Sequence, residues 1–287
     1  MASEPSTSHG SWRLITLFAF IVVLGAGYLF SECFTSPLAF SFIMTETGQA
    51  VVFSMEAGDL LEIVTWSFGL VIAGYFLVRV NIEAWERHAL MPRRKRDLLL
   101  HVFTIATLLI AGGNIIHVFF NQFDGMVEPL AGTNPDAWNL FVLVYFIDEH
   151  VSHAMLHAGI LLVLGIVLAS EPINDLPGEL TATTARSSMV SMLLGFSMGA
   201  VQVLAALEGQ CAIIVLAGAW AMLLALLVIH YKRGDRSFDT LRPFERPYLG
   251  FLACFAIAGT IVAVLWGLIF GTWPAYPFFK QPGELFG

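Results

Sequence analysis

The chain is expected to fold as an all-α bundle of seven transmembrane helices. Its apolar content, the length of its apolar runs and the placement of its basic residues all lead there. Of 287 residues, 57% are hydrophobic and 13% charged, against about 25% charged in an average soluble domain. Runs long enough to cross a hydrocarbon core, roughly 20 residues each, fall near 12–31, 59–80, 98–122, 138–168, 186–207, 210–231 and 247–271. Lys and Arg are retained on the cytoplasmic side of short loops. Alternating the loops puts Arg13, Arg79, Arg87, Arg93, Arg94, Lys95, Arg96, Arg186, Lys232, Arg233, Arg236, Arg242 and Arg246 on one side. Only Lys280 of the 14 basic residues is left on the other. The expected orientation is therefore N-terminus cytoplasmic and C-terminus outside. A multi-pass integral membrane protein follows, built as a single domain over 1–287, with membrane lipids as its surroundings. Its membrane is left open.

The first span starts after a polar tail and one Arg, as a signal peptide would. Ile15 to Phe30 is long for a signal-peptide core and no small-x-small cleavage site follows cleanly, so the helix is expected to be retained. The outer insertion 32–58 holds two aromatic-rich apolar runs, Leu38–Met44 and Ala50–Met55, around Thr45-Glu46-Thr47-Gly48-Gln49. That pattern reads as a small β-hairpin over the outer mouth of the bundle. A turn-rich loop is expected at 123–137, with Asp124-Gly125, Pro129 and Gly132. Asn134-Pro135-Asp136 then starts the fourth span with a capping residue and an early proline. In the fifth span Gly195 and Gly199 have the small-xxx-small spacing that lets a neighbouring backbone approach closely.

The fourth span carries the strongest functional signal. Asp148-Glu149-His150 and the pair His153 and His157 sit in an otherwise apolar helix. Ionisable groups at membrane depth must be paired, metal-bound or turned to a polar cavity. At about 100° per residue, Glu149, His150, His153 and His157 share one face, while Asp148 points nearly the other way. By the same rule Asn114, His117 and Asn121 share a face of the third span, and Asp59, Glu62 and Trp66 one of the second. Counting about 1.5 Å per residue from each span's middle puts Glu62 and His117 about 10 Å outward of centre and His153 near the midplane. Glu208, Gln210 and Gln202 reach the outer half from the fifth and sixth spans. By contrast His88, His101 and His230 fall at the inner boundary and His9 in the tail.

Imidazole and carboxylate converging between helices is how metal sites are built in bundles. The expected ligands are His117, His153 and His157, with Glu62 or Glu149 completing the shell, orienting an imidazole or acting as base on metal-bound water. His150, Asp148, Glu208, Asn114 and Asn121 are further polar groups near that set. The ligand chemistry suits a divalent transition metal: Zn, Fe or Cu. Three cysteines make no metal motif. Cys33 and Cys211 fall at the outer face, where an oxidising compartment allows a disulfide, and Cys254 lies within the seventh span; otherwise all three are small buried hydrophobes.

The expectation is a membrane metalloprotein acting as a metal-dependent enzyme, a hydrolase or an oxidoreductase, on an apolar or lipid-like substrate. The rival readings are a divalent-metal or proton transporter, or a membrane subunit of a larger complex. Nothing in the charge pattern suggests nucleic acid, and protein partners are left open. Below His157 the fourth span has no polar group before Ser170, so a dead-end site is expected rather than a pathway. Seven spans, three histidines with an HxxxH pair and an acid (His117, Asp124, His153 and His157) are similar to the alkaline ceramidase and progestin-receptor-like hydrolases. In that family, however, the pair lies on the last helix, whereas here three spans follow it. Asn121–Gly125 and Glu149–His153 also look in part like the paired motifs of zinc-iron permeases, with one helix fewer.

Overall fold

The computed structural model describes residues 8–34, 37–43, 50–87, 89–132, 134–170, 185–233 and 247–271. Among these, seven helices are long and apolar enough to span a membrane. They are α1 (Ser8–Cys33), α2 (Ala57–Arg87), α3 (Arg93–Ala131), α4 (Pro135–Ser170), α5 (Ala185–Glu208), α6 (Ala212–Arg233) and α7 (Pro247–Ile269). Between α1 and α2, strands β1 (Pro37–Ile43) and β2 (Ala50–Glu56) pair antiparallel, with Phe40 opposite Phe53. This is the expected hairpin; its turn at 44–49, His88, and the loops 171–184 and 234–246 lie outside the described residues.

Periodicity explains how the helices pack. On α2 the exposed large residues Leu60, Val64, Phe68, Ile72 and Phe76 recur every fourth position, which makes one side of the helix lipid-facing. Asp59, Glu62, Trp66, Leu70 and Leu77 are buried on the opposite side. In the most apolar part of α4, 61% of residues are buried, against at most 50% in any other span. α4 is therefore the central helix over that part, while its first half still has exposed positions such as Leu143 and Phe146. Close helix contacts are set by glycine. A Cβ at Gly195 or Gly199 would run into the backbone of Phe251 or Phe255 on α7, the approach that the small-xxx-small spacing predicts. Gly113 sits equally tightly, its missing Cβ 2.7 Å from Ser152 O and Leu156 N of α4.

Two stretches depart from α-geometry. Ile63–Leu70 in α2 and Phe146–Ser152 in α4 are π-helical, with i→i+5 bonding that widens the turn, and such bulges occur often at functional sites. In each a hydroxyl bonds back one turn: Thr65 donates to Leu61 O at 2.6 Å, and Ser152 donates to Asp148 O. This back-bonding loosens a regular helix.

The expected loop at 123–137 is mostly helix. α3 runs on to Ala131, 39 residues in all, or about 58 Å at 1.5 Å per residue, well beyond a hydrocarbon core of about 30 Å. Outside the lipid, water can take the Gly125 carbonyl left without its donor by Pro129, so turn residues do not stop the helix there. The next start is as expected, with Asn134 Oδ1 accepting from Asp136 N at 2.9 Å.

Arg13, counted above among the basic residues of the cytoplasmic side, lies within α1 as a structural clamp. It is 6% exposed, donates to Asn81 Oδ1 at 2.8 Å and lies 4.8 Å from the ring centres of both Trp85 and Tyr248. Such stacking draws a guanidinium into an apolar bundle, and here it ties α1, α2 and α7 together.

Candidate metal centre and its cavity

At the end of the bundle that carries the hairpin, α1 to α5 enclose a cavity of about 680 Å³. The predicted polar stripes meet there: Asp59, Glu62 and Trp66 from α2, His117 and Asn121 from α3, and Glu149, His153 and His157 from α4 all line it. β2 runs straight into α2 and brings Glu56 to the same cavity. Asp59 is fixed by two donors, Glu56 N at 2.8 Å and Gln122 Nε2 at 2.7 Å. Asn114, fully buried, lies behind this lining and donates to Ser67 Oγ at 3.2 Å.

The π-helical stretch in α4 rearranges its polar face. Asp148 and His153 are five residues apart, about 140° on a regular α-helix, but an i→i+5 turn brings them to one side. Asp148 is therefore buried against α3 and holds His117 Nδ1 at 2.8 Å, contrary to the expectation that it faces elsewhere. The His117 and His153 rings meet edge to face, 4.5 Å between centres. His150, expected on the shared face, instead stacks on Phe146 at 5.3 Å and does not line the cavity. The same change of rotation per residue accounts for both differences.

His153 and His157 lie at the floor. Their ring centres are 6.0 Å apart, and the Nε2 atoms of both are buried without a hydrogen-bond partner among the described residues. His157 is 2% exposed, and its Nδ1 is 2.5 Å from the Gln202 side-chain amide on α5. The two ends of that amide exchange by rotation. With its oxygen towards the ring, Gln202 accepts the Nδ1 proton and leaves the Nε2 lone pair for a metal, the usual arrangement around a ligating histidine. Glu149 Oε2 stands 4.0 Å from His153 Nε2, too far for a hydrogen bond.

Cys211 lies next to these two histidines but does not itself line the cavity. Ligand atoms of His153, His157 and Cys211 all lie within 4.8 Å of one another, a group that could hold a metal ion. The sequence reading had His117 in that third place and took Cys211 for a disulfide partner or a small hydrophobe; Cys211 is free and buried, and Cys33 is free and exposed. The tight turn between α5 and α6 delivers it, with Cys211 N bonding Ala206 O at 2.8 Å and Gln210 in the left-handed region at φ 50°. In the same turn Gly209 lies under His153, where a Cβ would overlap the imidazole. The signal available in the sequence was depth, because Cys211 closes a three-residue turn at the level of Gln202 and Gln210. Gln210 is buried in that turn, and the Glu208 side chain lies outside the described residues. Away from the site, His101 is exposed with Nδ1 2.6 Å from Asp97 O.

Comparisons of the chain with protein-family models, with curated proteins and with solved structures find no match.

Proposed function

We propose that this is a membrane metalloprotein that holds a divalent transition metal on His153, His157 and Cys211 and uses it in catalysis on an apolar or lipid-like substrate. Two observations carry the reading: a ligand atom from each of His153, His157 and Cys211 lies within 4.8 Å of the others, and the Nε2 atoms of both histidines are buried without a hydrogen-bond partner among the described residues. Leaving such nitrogens unpaired in an apolar interior is unfavourable by about 1–3 kcal/mol each, and a metal ion removes that penalty. Two imidazoles and a thiolate suit Zn, and also Fe or Cu. Three protein ligands leave a fourth position for water or substrate, as catalytic zinc sites do. His117, oriented by Asp148, is the further imidazole that reaches the same cavity. Glu149 and Glu62 are the carboxylates placed to take a proton there, and a metal lowers the pKa of bound water enough for that to occur near neutrality. By the basic-loop orientation the site lies in the outer half of the membrane.

Passage of metal or protons to the other side is the rival reading. Past His157, the buried face of α4 is Ile160, Val163, Leu164 and Val167, and the hydroxyl of Ser170 is already bonded to Val167 O at 2.6 Å. A conducting path needs polar groups at these positions, so a blind site is favoured.

Metal analysis by mass spectrometry on protein from metal-replete growth tests the proposal. About one equivalent is expected in the wild type, and well under half in His153→Ala, His157→Ala and Cys211→Ser. A stoichiometry well below one in wild type and variants alike would overturn it. Zn²⁺ uptake into proteoliposomes would overturn the blind-site reading.

A further inference from the structure

The exposed members of the cavity lining mark where it opens. Asn121, Gly125 and Met126 of α3 and Tyr145 of α4 are exposed, whereas Glu62 and His157 are buried. Among these, the glycine has no structural reason to be one. A Cβ at Gly113, Gly159, Gly195 or Gly199 would lie within 3.0 Å of a neighbouring backbone, but nothing lies within 4 Å of the would-be Cβ of Gly125. Its φ is not positive either. Glycine inside a helix is unfavourable relative to alanine, so neither packing nor backbone conformation accounts for it. Gly25 is equally unhindered but lies off the cavity. At Gly125 the missing side chain leaves open space on the lining itself.

This mouth stands above the hydrocarbon. The consecutive cations Arg93 to Arg96 hold the start of α3 at the opposite membrane boundary, and its exposed apolar face begins at Leu98. Gly125 lies 27 residues further on, which is about 40 Å along the helix, or about 38 Å after an average tilt of about 20°. α4 gives the same level. Tyr145 is 25 residues from Ser170 at that boundary, about 37 Å by the same rise per residue. Both exceed a hydrocarbon core of about 30 Å and fall in the headgroup layer.

We infer that the substrate's reacting group enters past Gly125 from the headgroup layer, and that Gly125 sets the width of this entrance. The inference rests on the catalytic reading for the reaction, and on exposure and depth alone for the entrance. Of an apolar and a lipid-like substrate it selects the lipid-like one with a polar reacting head, because a wholly apolar molecule resides in the hydrocarbon below the mouth. The lining suits such a head. It offers carboxylates, imidazoles and the Asn121 and Gln122 amides, hence both donors and acceptors. A cavity of about 680 Å³ is within the usual range for small-molecule sites.

A reporter thiol inside the cavity tests the entrance. Ala205 of α5 lines it, so Ala205→Cys is placed in a full chain carrying Cys33→Ser and Cys254→Ser, in zwitterionic nanodiscs, with the same background lacking the new thiol as reference. Two probes are compared, the water-soluble trimethylammonioethyl methanethiosulfonate and the lipid-partitioning hexyl methanethiosulfonate, and metal content is measured on the same samples. The water-soluble probe is expected to label the thiol, and Gly125→Phe to slow it by about tenfold or more, because thiol exchange depends on access. Gly132→Phe is the control and should stay within about twofold of the parent rate, since Gly132 is equally unhindered and off the lining. Met126→Trp, at the same rim, keeps the test open if Gly125→Phe does not fold. No labelling above the reference, or unchanged rates in the folded rim variants, would overturn the inference. So would faster labelling by the hexyl probe that Gly125→Phe does not slow, which would show entry from the hydrocarbon. Slowed labelling in protein that holds no metal would leave the entrance standing and sink the metal reading, whereas stoichiometric metal with unslowed labelling would do the reverse.

Discussion

Gly209→Ala tests the metal centre through a residue that is not a ligand. Gly209 does not have a positive φ, so alanine can adopt its backbone conformation without strain, and the added methyl acts through contact alone. That methyl would sit 2.7 Å from His153 Cβ and closer still to the imidazole. Ordinary contact begins near 3.4 Å, so His153 must retreat by about 0.7 Å at Cβ and by more at the ring. Metal–ligand distances tolerate only about 0.2 Å, and a site displaced by more than about 0.5 Å loses its function. Metal affinity is expected to fall about 10- to 100-fold, the usual penalty for losing the support of a ligating histidine. Overpacking lowers global stability by about 1–3 kcal/mol.

Competition with a chromophoric chelator measures the affinity, and thermal unfolding in detergent measures the stability. Gly25→Ala is the control, because nothing lies within 4 Å of its would-be Cβ. An affinity in Gly209→Ala within about threefold of wild type would refute the placement of His153 as a ligand against this turn.

Gln202→Leu removes the amide that fixes the His157 tautomer, and about tenfold weaker metal binding is expected from the same chelator assay. Asp148→Asn leaves His117 in place but loses its carboxylate partner at 2.8 Å; metal affinity should stay within about threefold of wild type, because His117 is not among the three proposed ligands, while turnover falls and Asp148→Glu recovers part of it. Gly195→Leu drives a side chain into the Phe251 backbone, which no rotamer relieves, so the unfolding temperature should drop sharply while Gly25→Ala leaves it nearly unchanged. Arg13→Met deprives Asn81 Oδ1 of its donor and should destabilise by about 1–3 kcal/mol, and Arg13→Met with Asn81→Leu should regain only part of that, because Asn81 Nδ2 also donates to the buried Tyr248 Oη at 3.1 Å.

Periodicity carried the fold and much of the site, because burial and lipid exposure follow directly from where apolar residues repeat. The seven spans, the buried Asp59–Glu62–Trp66 face, the Asn134 cap and the Gly195–Gly199 contact were legible for that reason. What the sequence hid depends on geometry that composition does not encode. A regular 100° rotation cannot anticipate two π-helical stretches, so Asp148 was assigned away from His117 and His150 towards the shared face. α3 runs through Gly125 and Pro129 although both residues disfavour a helix interior, so turn composition misplaced its end. A cysteine in a short turn has the same sequence appearance whether it pairs, packs or ligates, and only the fold of the 209–211 turn separates these for Cys211. For Arg13 the sequence showed its side of the membrane but not the clamp that Asn81, Trp85 and Tyr248 form around it.

The two π-helical stretches answer the difficulty that the α4 charges pose. A regular α-helix would set Asp148 about 140° from His153, while Leu143 and Phe146 nearby on α4 are exposed. Widening one turn at Phe146–Ser152 brings Asp148 under His117 and keeps His153 and His157 on the cavity. The matching stretch in α2 lies directly after Glu62, on the opposite wall. Restoring regular geometry by deleting a single residue in Phe146–Ser152 would therefore part Asp148 from His117 and leave a buried carboxylate without its partner, at a penalty of several kcal/mol. Such irregularity is favoured only where the polar groups it gathers have a use. With the polar lining ending at His157, the use we propose is to hold a ligand in place rather than to pass one through.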